Sequence, residues 1–270
     1  MAGARSRFLL AALAFGYAFL YVPIVSVIVY SFNDSRLVTV WGGFSLRWWR
    51  ELARNEAMID AALLSLRIAL VSAIGATILG TMAGFALARH GRFRGRALFA
   101  GLVAAPMVMP EVIMGVSMLL LFVGLERLFG GPERGFPTIV LAHVTFAAAY
   151  VALVVQSRLA DFDRSLEEAA MDLGARPATV FRTITLPLIA PAVISGWLLA
   201  FTLSLDDLIL TQFVAGPESQ TLPMAVYSSI RMGLNPQINV VATIVVGLAT
   251  VALVLSSLLT GRGTGSHAPK

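Results

Sequence analysis

The chain has 270 residues, 58% of them hydrophobic and 13% charged, with a mean hydropathy of +0.83. Soluble domains carry about 25% charged residues, so this composition excludes a single water-soluble core and specifies a membrane protein. The absence of cysteine excludes a disulfide framework and a thiolate metal site. The net charge of +5 comes from arginines in short segments between apolar runs, a distribution that orients a membrane protein and does not make a nucleic-acid surface.

The first apolar run, Phe8–Phe32, follows Arg5 and Arg7. A secretory signal has an apolar region of about 7–15 residues; this run has 25 and is expected to remain as a span. Crossing a bilayer takes about 20 helical residues. Five further runs suffice, near Ala61–Ala88, Ala97–Val123, Pro137–Ser157, Leu188–Phe213 and Ile238–Thr260. The expected fold class is an all-α integral membrane protein with six transmembrane helices. Counted with the N-terminus inside, inner segments hold twelve Arg and Lys and outer segments seven, which places both termini in the cytoplasm. In the outer segment Asn33–Asp60, Trp48 and Trp49 read as interfacial anchors. The Gly-rich, polar tail 261–270 is expected to be disordered.

Three carboxylates fall within the expected spans: Glu111, Asp206 and Asp207. An ionisable group at the bilayer centre costs about 2.5–3.5 kcal/mol on insertion scales, so such groups usually line a path or a site. Glu111 lies near the midplane of the third span and directly follows Pro106-Met107-Val108-Met109-Pro110. Two prolines four apart remove backbone donors and kink or break a helix, and broken helices at mid-membrane mark substrate sites in transporters. Asp206 and Asp207 lie close to the outer end of the fifth span. As adjacent helical residues they point about 100° apart, so one can face a pathway and the other a neighbouring helix. Arg67, in the second span, is the available basic partner for either. Trp197, Phe201 and Phe213 are near enough in sequence to offer aromatic faces to an ammonium group. Three acids with one basic partner suit cations and not sulfate or phosphate.

Residues Glu168 to Pro187 read EAAMDLGARPATVFRTITLP, a polar stretch between two apolar runs. Ser165 to Leu173 suits a short helix, Gly174 the left-handed position that ends one, and Pro177 the first turn of a second. Arg176 stands where a Ser or Asp cap would be expected, so that second helix is expected to start less cleanly. Ala169 and Ala170 are small enough to let another backbone approach. Two short helices joined by a turn fit a partner's groove.

This segment, with Glu168, Ala169, Ala170, Gly174, Ile184, Leu186 and Pro187 at fixed spacing, resembles the cytoplasmic coupling loop of permease subunits in bacterial ABC importers. The stretches YVPIVSVIVYSFNDS, PMVMPEVIMGVSMLLLFV and LSLDDLILTQFVAGPESQTLPMAVYSSIRMGLNPQINVVATI resemble the second permease of spermidine/putrescine importers, the PotC/PotI kind, over nearly the whole chain. The resemblance implies the type I importer permease fold, with residues 1–60 as first span and first periplasmic segment and 61–260 as the core, including the coupling loop 158–187. It implies a sister permease subunit, two ATPase subunits bound at Glu168–Pro187, a periplasmic substrate-binding protein and a place in the inner membrane. The pathway residues would be Glu111, Asp206, Asp207, Trp197 and Phe201. The only lysine is Lys270 and no phosphate loop is present, so ATP and magnesium would be bound by the partner ATPase and no cofactor or metal by this chain. The alternatives are a permease for another small substrate, a passive cation channel, which leaves the coupling segment unexplained, and an intramembrane serine protease with a Ser117–His143 dyad.

Overall fold

A computed structural model describes the backbone of residues 2–233 and 235–260, with side chains described over 9–233 and 235–251. The tail expected over 261–270 lies outside the described residues. The helices are α1 (Ala2–Tyr30), α2 (Arg47–Leu52), α3 (Glu56–Arg89), α4 (Arg96–Val108), α5 (Glu111–Phe129), α6 (Phe136–Ala160), α7 (Ser165–Asp172), α8 (Pro177–Val180), α9 (Leu186–Leu205), α10 (Ile209–Val214), α11 (Leu222–Met232) and α12 (Gln237–Thr260). Among the described residues the only bridge between extended segments joins Asn33 and Phe44.

Five stretches are each long and apolar enough to cross a bilayer: Leu9–Tyr30, Glu56–Arg89, Glu111–Phe129, Phe136–Ala160 and Pro177–Leu205. The 24-residue α12 and the shorter α4 are further apolar helices. Two expected spans differ in detail. Ala97–Val123 is not one helix but α4 and α5, parted at Met109–Pro110. Pro110 has no N–H to give the carbonyl four residues back, and it forces its predecessor out of the helical region. Met109 is accordingly extended, at φ −74° and ψ 136°. The fifth span starts earlier than expected, at Pro177, and ends at Leu205, before both aspartates.

The chain divides into two units, 1–59 with 226–270, and 60–225. In the first, α12 packs on α1 and α2, and Asn55 Nδ2 donates to Gln237 Oε1 at 2.8 Å. The buried Asn33 organises the segment after α1: its Nδ2 donates to the Val40 carbonyl and its Oδ1 accepts the Gly42 N–H, both at 2.7 Å. The expectation of two interfacial anchors fails for Trp48. Trp48 is buried with Leu52 on the inner face of α2, and Trp49 stacks on Phe32 while its Nε1 donates to the Ser31 carbonyl at 3.1 Å. The amphipathic turn of α2 uses its indoles for packing, and Trp41 and Phe44 are the exposed aromatics.

In the second unit α6 is the most buried of the five spans, its Ile139, Ala142, Ala147, Val151, Val155 and Leu159 all enclosed. Helices in lipid associate through close packing and not through a hydrophobic drive, so small residues mark their contacts. Gly75, Gly80 and Gly84 of α3 face Val144, Val151 and the Ala152 carbonyl of α6; a Cβ at Gly80 would stand 2.6 Å from Val151 Cβ. Against the opposite end of α6, Leu210 and Val214 of α10 close a cluster with Ile68, Met114 and Phe122.

Candidate functional site

The Glu168–Pro187 segment begins in α7. Asp163 Oδ1 accepts the Ser165 N–H at 2.9 Å, which satisfies an early donor of the helix. That bond and one from the Ser165 hydroxyl hold the Asp163 carboxyl below the usual carboxylate range. At the other end Gly174 takes φ +86°, its N–H donates to the Met171 carbonyl at 2.9 Å, and Ala175 N–H donates to the Ala170 carbonyl at 3.0 Å. This paired closure needs a left-handed residue, as the sequence reading expected of Gly174. Arg176 is extended and offers no side-chain cap, and Pro177 opens α8.

The second helix is not a separate short one. From Pro177 the chain runs through α8, a π-turn at Phe181–Thr185 and α9 without interruption. The π-turn has a local cause. Pro187 lacks the N–H that would serve the Thr183 carbonyl, and widening the preceding turn lets Leu186 N–H reach the Phe181 carbonyl instead. Of the motif residues, Glu168, Ala169, Gly174, Leu186 and Pro187 are exposed, and Ala170 and Ile184 are half-buried. Leu173, beside the turn, is 90% exposed. An apolar side chain held that far out on a polar segment suits insertion into another protein.

Sequence reasoning missed what anchors this segment. Glu167 is buried, with Oε2 2.9 Å from Arg89 Nε and Oε1 accepting the Thr185 hydroxyl at 2.6 Å. Arg89 Nη1 also donates to the Leu159 carbonyl in the last turn of α6 at 3.1 Å, where a cation is favoured. The doubled acid Glu167–Glu168 was the available signal, with one carboxylate for each face of α7.

The expected pathway residues fall at the helix breaks. Glu111 is exposed in the first turn of α5. Asp206 is exposed at the end of α9. Asp207 is different: its side chain is 8% exposed, and its Oδ2 accepts both the N–H and the hydroxyl of Thr211, at 2.7 and 2.6 Å. The two aspartates are not neighbours on a helix, because α9 has already ended; Asp207 instead caps α10. Nor does either pair with Arg67, which is exposed and has no ion pair among the described residues. The buried partner is His143, whose Nε2 lies 3.3 Å from Asp207 Oδ2 and 2.9 Å from Thr211 Oγ1, while Nδ1 lies 2.6 Å from Ser204 Oγ. Trp197 and Phe201 stack at 5.5 Å and are half-buried, and Phe213 packs against Gly115. Ser117 donates to the Ile113 carbonyl at 2.8 Å and His143 is fully engaged elsewhere, so no Ser117–His143 dyad forms.

Comparison with known proteins agrees with this architecture. Residues 76–262 match the family described as "Binding-protein-dependent transport system inner membrane component". The chain is 58% identical over 244 residues to the "Putrescine transport system permease protein PotI" of Escherichia coli (strain K12), covering 90% of this chain and 87% of that one. It is 42% identical over 243 residues to the "Spermidine/putrescine transport system permease protein PotC" of the same organism, covering 90% of each. A solved bacterial alginate ABC transporter shares the fold with a TM-score of 0.74 at 16% identity, covering 98% of this chain and 96% of that one. The chain therefore belongs to the binding-protein-dependent transport system inner membrane components: it is a multi-pass permease subunit of an ABC importer and not an enzyme.

Proposed function

We propose that this permease imports polyamines, putrescine or spermidine, by alternating access. The observation that carries the reading is the placement of Glu111 and Asp206. Each is an exposed carboxylate at a break in an apolar helix, while Asp207 is withdrawn into hydrogen bonds. A polyamine must shed water to cross, and fixed carboxylates replace part of that hydration. An ammonium 4 Å from a carboxylate gains about 4 kcal/mol at an effective dielectric near 20, before desolvation is subtracted. Trp197 and Phe201 add aromatic surface to the same path. The substrates named for the two similar permeases support this choice.

Glu168–Pro187 is the segment that an ATPase subunit grips, with Leu173 and the Gly174 turn in its groove. Both termini then lie in the cytoplasm. The working assembly is this chain with a sister permease, two ATPase subunits that bind ATP and magnesium, and a periplasmic binding protein. Closure of the ATPases on ATP draws the Gly174 turn inward and opens the path outward; hydrolysis resets it.

The test is uptake of labelled putrescine and spermidine by the assembled importer in liposomes. Glu111→Gln and Asp206→Asn, which keep shape and remove charge, should each reduce uptake at limiting and saturating substrate with complex yield unchanged. Unaltered uptake in both variants sinks the polyamine assignment.

A further inference from the structure

Glu167 and Glu168 are adjacent, yet only Glu168 is open to solvent. The Arg89 and Glu167 side chains are 9% and 12% exposed. A charge pair withdrawn this far from water is a poor source of stability compared with apolar packing, so its value lies in geometry. That geometry joins four elements. Arg89 is the last residue of α3; it reaches the Leu159 carbonyl of α6 and lies over the Phe162 ring at 5.3 Å. Glu167 belongs to α7, and Thr185 is the last residue of the π-turn that leads into α9. A second tie reinforces the first: Arg164 Nη2 donates to the Ala88 carbonyl at 2.6 Å.

Thr185 is one of the helical threonines, with Thr138 and Thr211, whose hydroxyl finds a partner outside its own helix. The hydroxyls of Thr77, Thr145, Thr183 and Thr202 turn back onto carbonyls of their own helices. The Thr185 hydroxyl leaves its helix and goes to Glu167. The π-turn is a joint in the otherwise continuous run from Pro177 to Leu205, where the regular hydrogen-bond ladder is interrupted. Without a strut, a push on α7 would be absorbed there by rewinding.

We infer that Arg89, Glu167 and Thr185 are positioning residues that bind α7 to the ends of α3 and α9, so that displacement of the Gly174 turn reaches both spans together. This rests on the reading of Glu168–Pro187 as the ATPase-contacting segment.

The experiment uses the complete importer in liposomes and measures substrate taken up per ATP hydrolysed. Glu167→Gln keeps an acceptor for Thr185 but removes the charge facing Arg89; Thr185→Val keeps the ion pair and removes the hydroxyl. Each should assemble and lower uptake per ATP about tenfold, within the usual range of coupling between distant sites. A cysteine at Ala169, cross-linked to the ATPase subunit, is the control. Cross-linking with a normal uptake-to-ATP ratio in both variants overturns the strut and leaves the docking segment standing. No cross-link to the ATPase in the otherwise native chain removes the docking reading itself. Failure of both variants to assemble also overturns the inference, because the contact is then only a requirement for folding.

Discussion

Gly174 gives the sharpest test of the turn on which the proposed coupling depends. A Cβ built there meets nothing within 4 Å, so substitution creates no clash inside this chain. What remains is the backbone: φ is +86°, and an L-residue with a Cβ pays roughly 1–2 kcal/mol to hold the left-handed region. Leaving that region also releases the Gly174-to-Met171 and Ala175-to-Ala170 bonds, worth about 0.5–1.5 kcal/mol each. The turn therefore gives way once the strain approaches the strength of its own closure. Since 1.4 kcal/mol is about tenfold in an equilibrium, Gly174→Ala should weaken ATPase docking about tenfold and Gly174→Val more, its β-branched chain being least tolerant of positive φ. Asn visits the left-handed region readily and should stay close to the native protein. The assay is binding of purified ATPase subunits to the permease complex in nanodiscs, with stimulated ATP hydrolysis measured in parallel. If Asn is as damaging as Val, the backbone argument is wrong, and the partner instead requires a bare glycine surface. Native docking by Gly174→Val refutes the role of the turn altogether.

Reporter fusions at Gly42 and Gly174 should report opposite sides of the membrane; the same side for both removes a span from between them. Gly80→Leu would drive its side chain into Val151 and the Ala148 carbonyl, and overpacking of this kind costs about 1–3 kcal/mol, read as a lower melting temperature of the detergent-solubilised protein. His143→Phe leaves the buried Ser204 hydroxyl short of a partner, at about 1–3 kcal/mol, while Thr211 keeps its bond to Asp207; it should lower stability and complex yield, whereas Asp206→Asn should lower uptake at normal yield. The Asp163 carboxyl titrates below its usual range, so its support for α7 is present at neutral pH and is lost as pH falls through that lowered value. Hydrogen exchange of the first turn of α7 should accelerate on acidification, and Asp163→Asn, which still accepts the Ser165 N–H, should flatten that dependence.

What the sequence made legible was governed by local rules. Pro106 and Pro110 foretold the parting of α4 from α5 because a missing donor acts within one turn. Gly174 followed by Pro177 foretold the turn because both residues restrict their own dihedrals. The partners that decide what each charge does are distant. Arg89 looks like any of the four arginines between Arg89 and Arg96, and only the folded chain brings it to Glu167. Arg67 was the basic partner offered to either aspartate, but the structure puts His143 beside Asp207; span-level reading gives depth and not which neighbouring helix lies across from a residue. The π-turn was missed because Pro187 reads equally well as the start of a helix.

The parting of α4 from α5 also bears on where water goes. Pro110 cannot donate to the Pro106 carbonyl, and although the Met109 N–H still reaches the Ala105 carbonyl at 3.0 Å, extended Met109 takes the following chain away from the Met107 and Val108 carbonyls. Hydrocarbon tolerates unpaired peptide oxygens only where protein encloses them or a wet cavity reaches them, and Val108 and Met109 at this point stay uncovered by the rest of the chain. The helix break thus leaves neutral oxygen dipoles at the end of α4 that call for either solvent or a guest rich in N–H donors. An alkyl diammonium ion brings such donors at each end, and Glu111 stands beside them, so on the proposed polyamine path the proline pair would set hydration as well as shape.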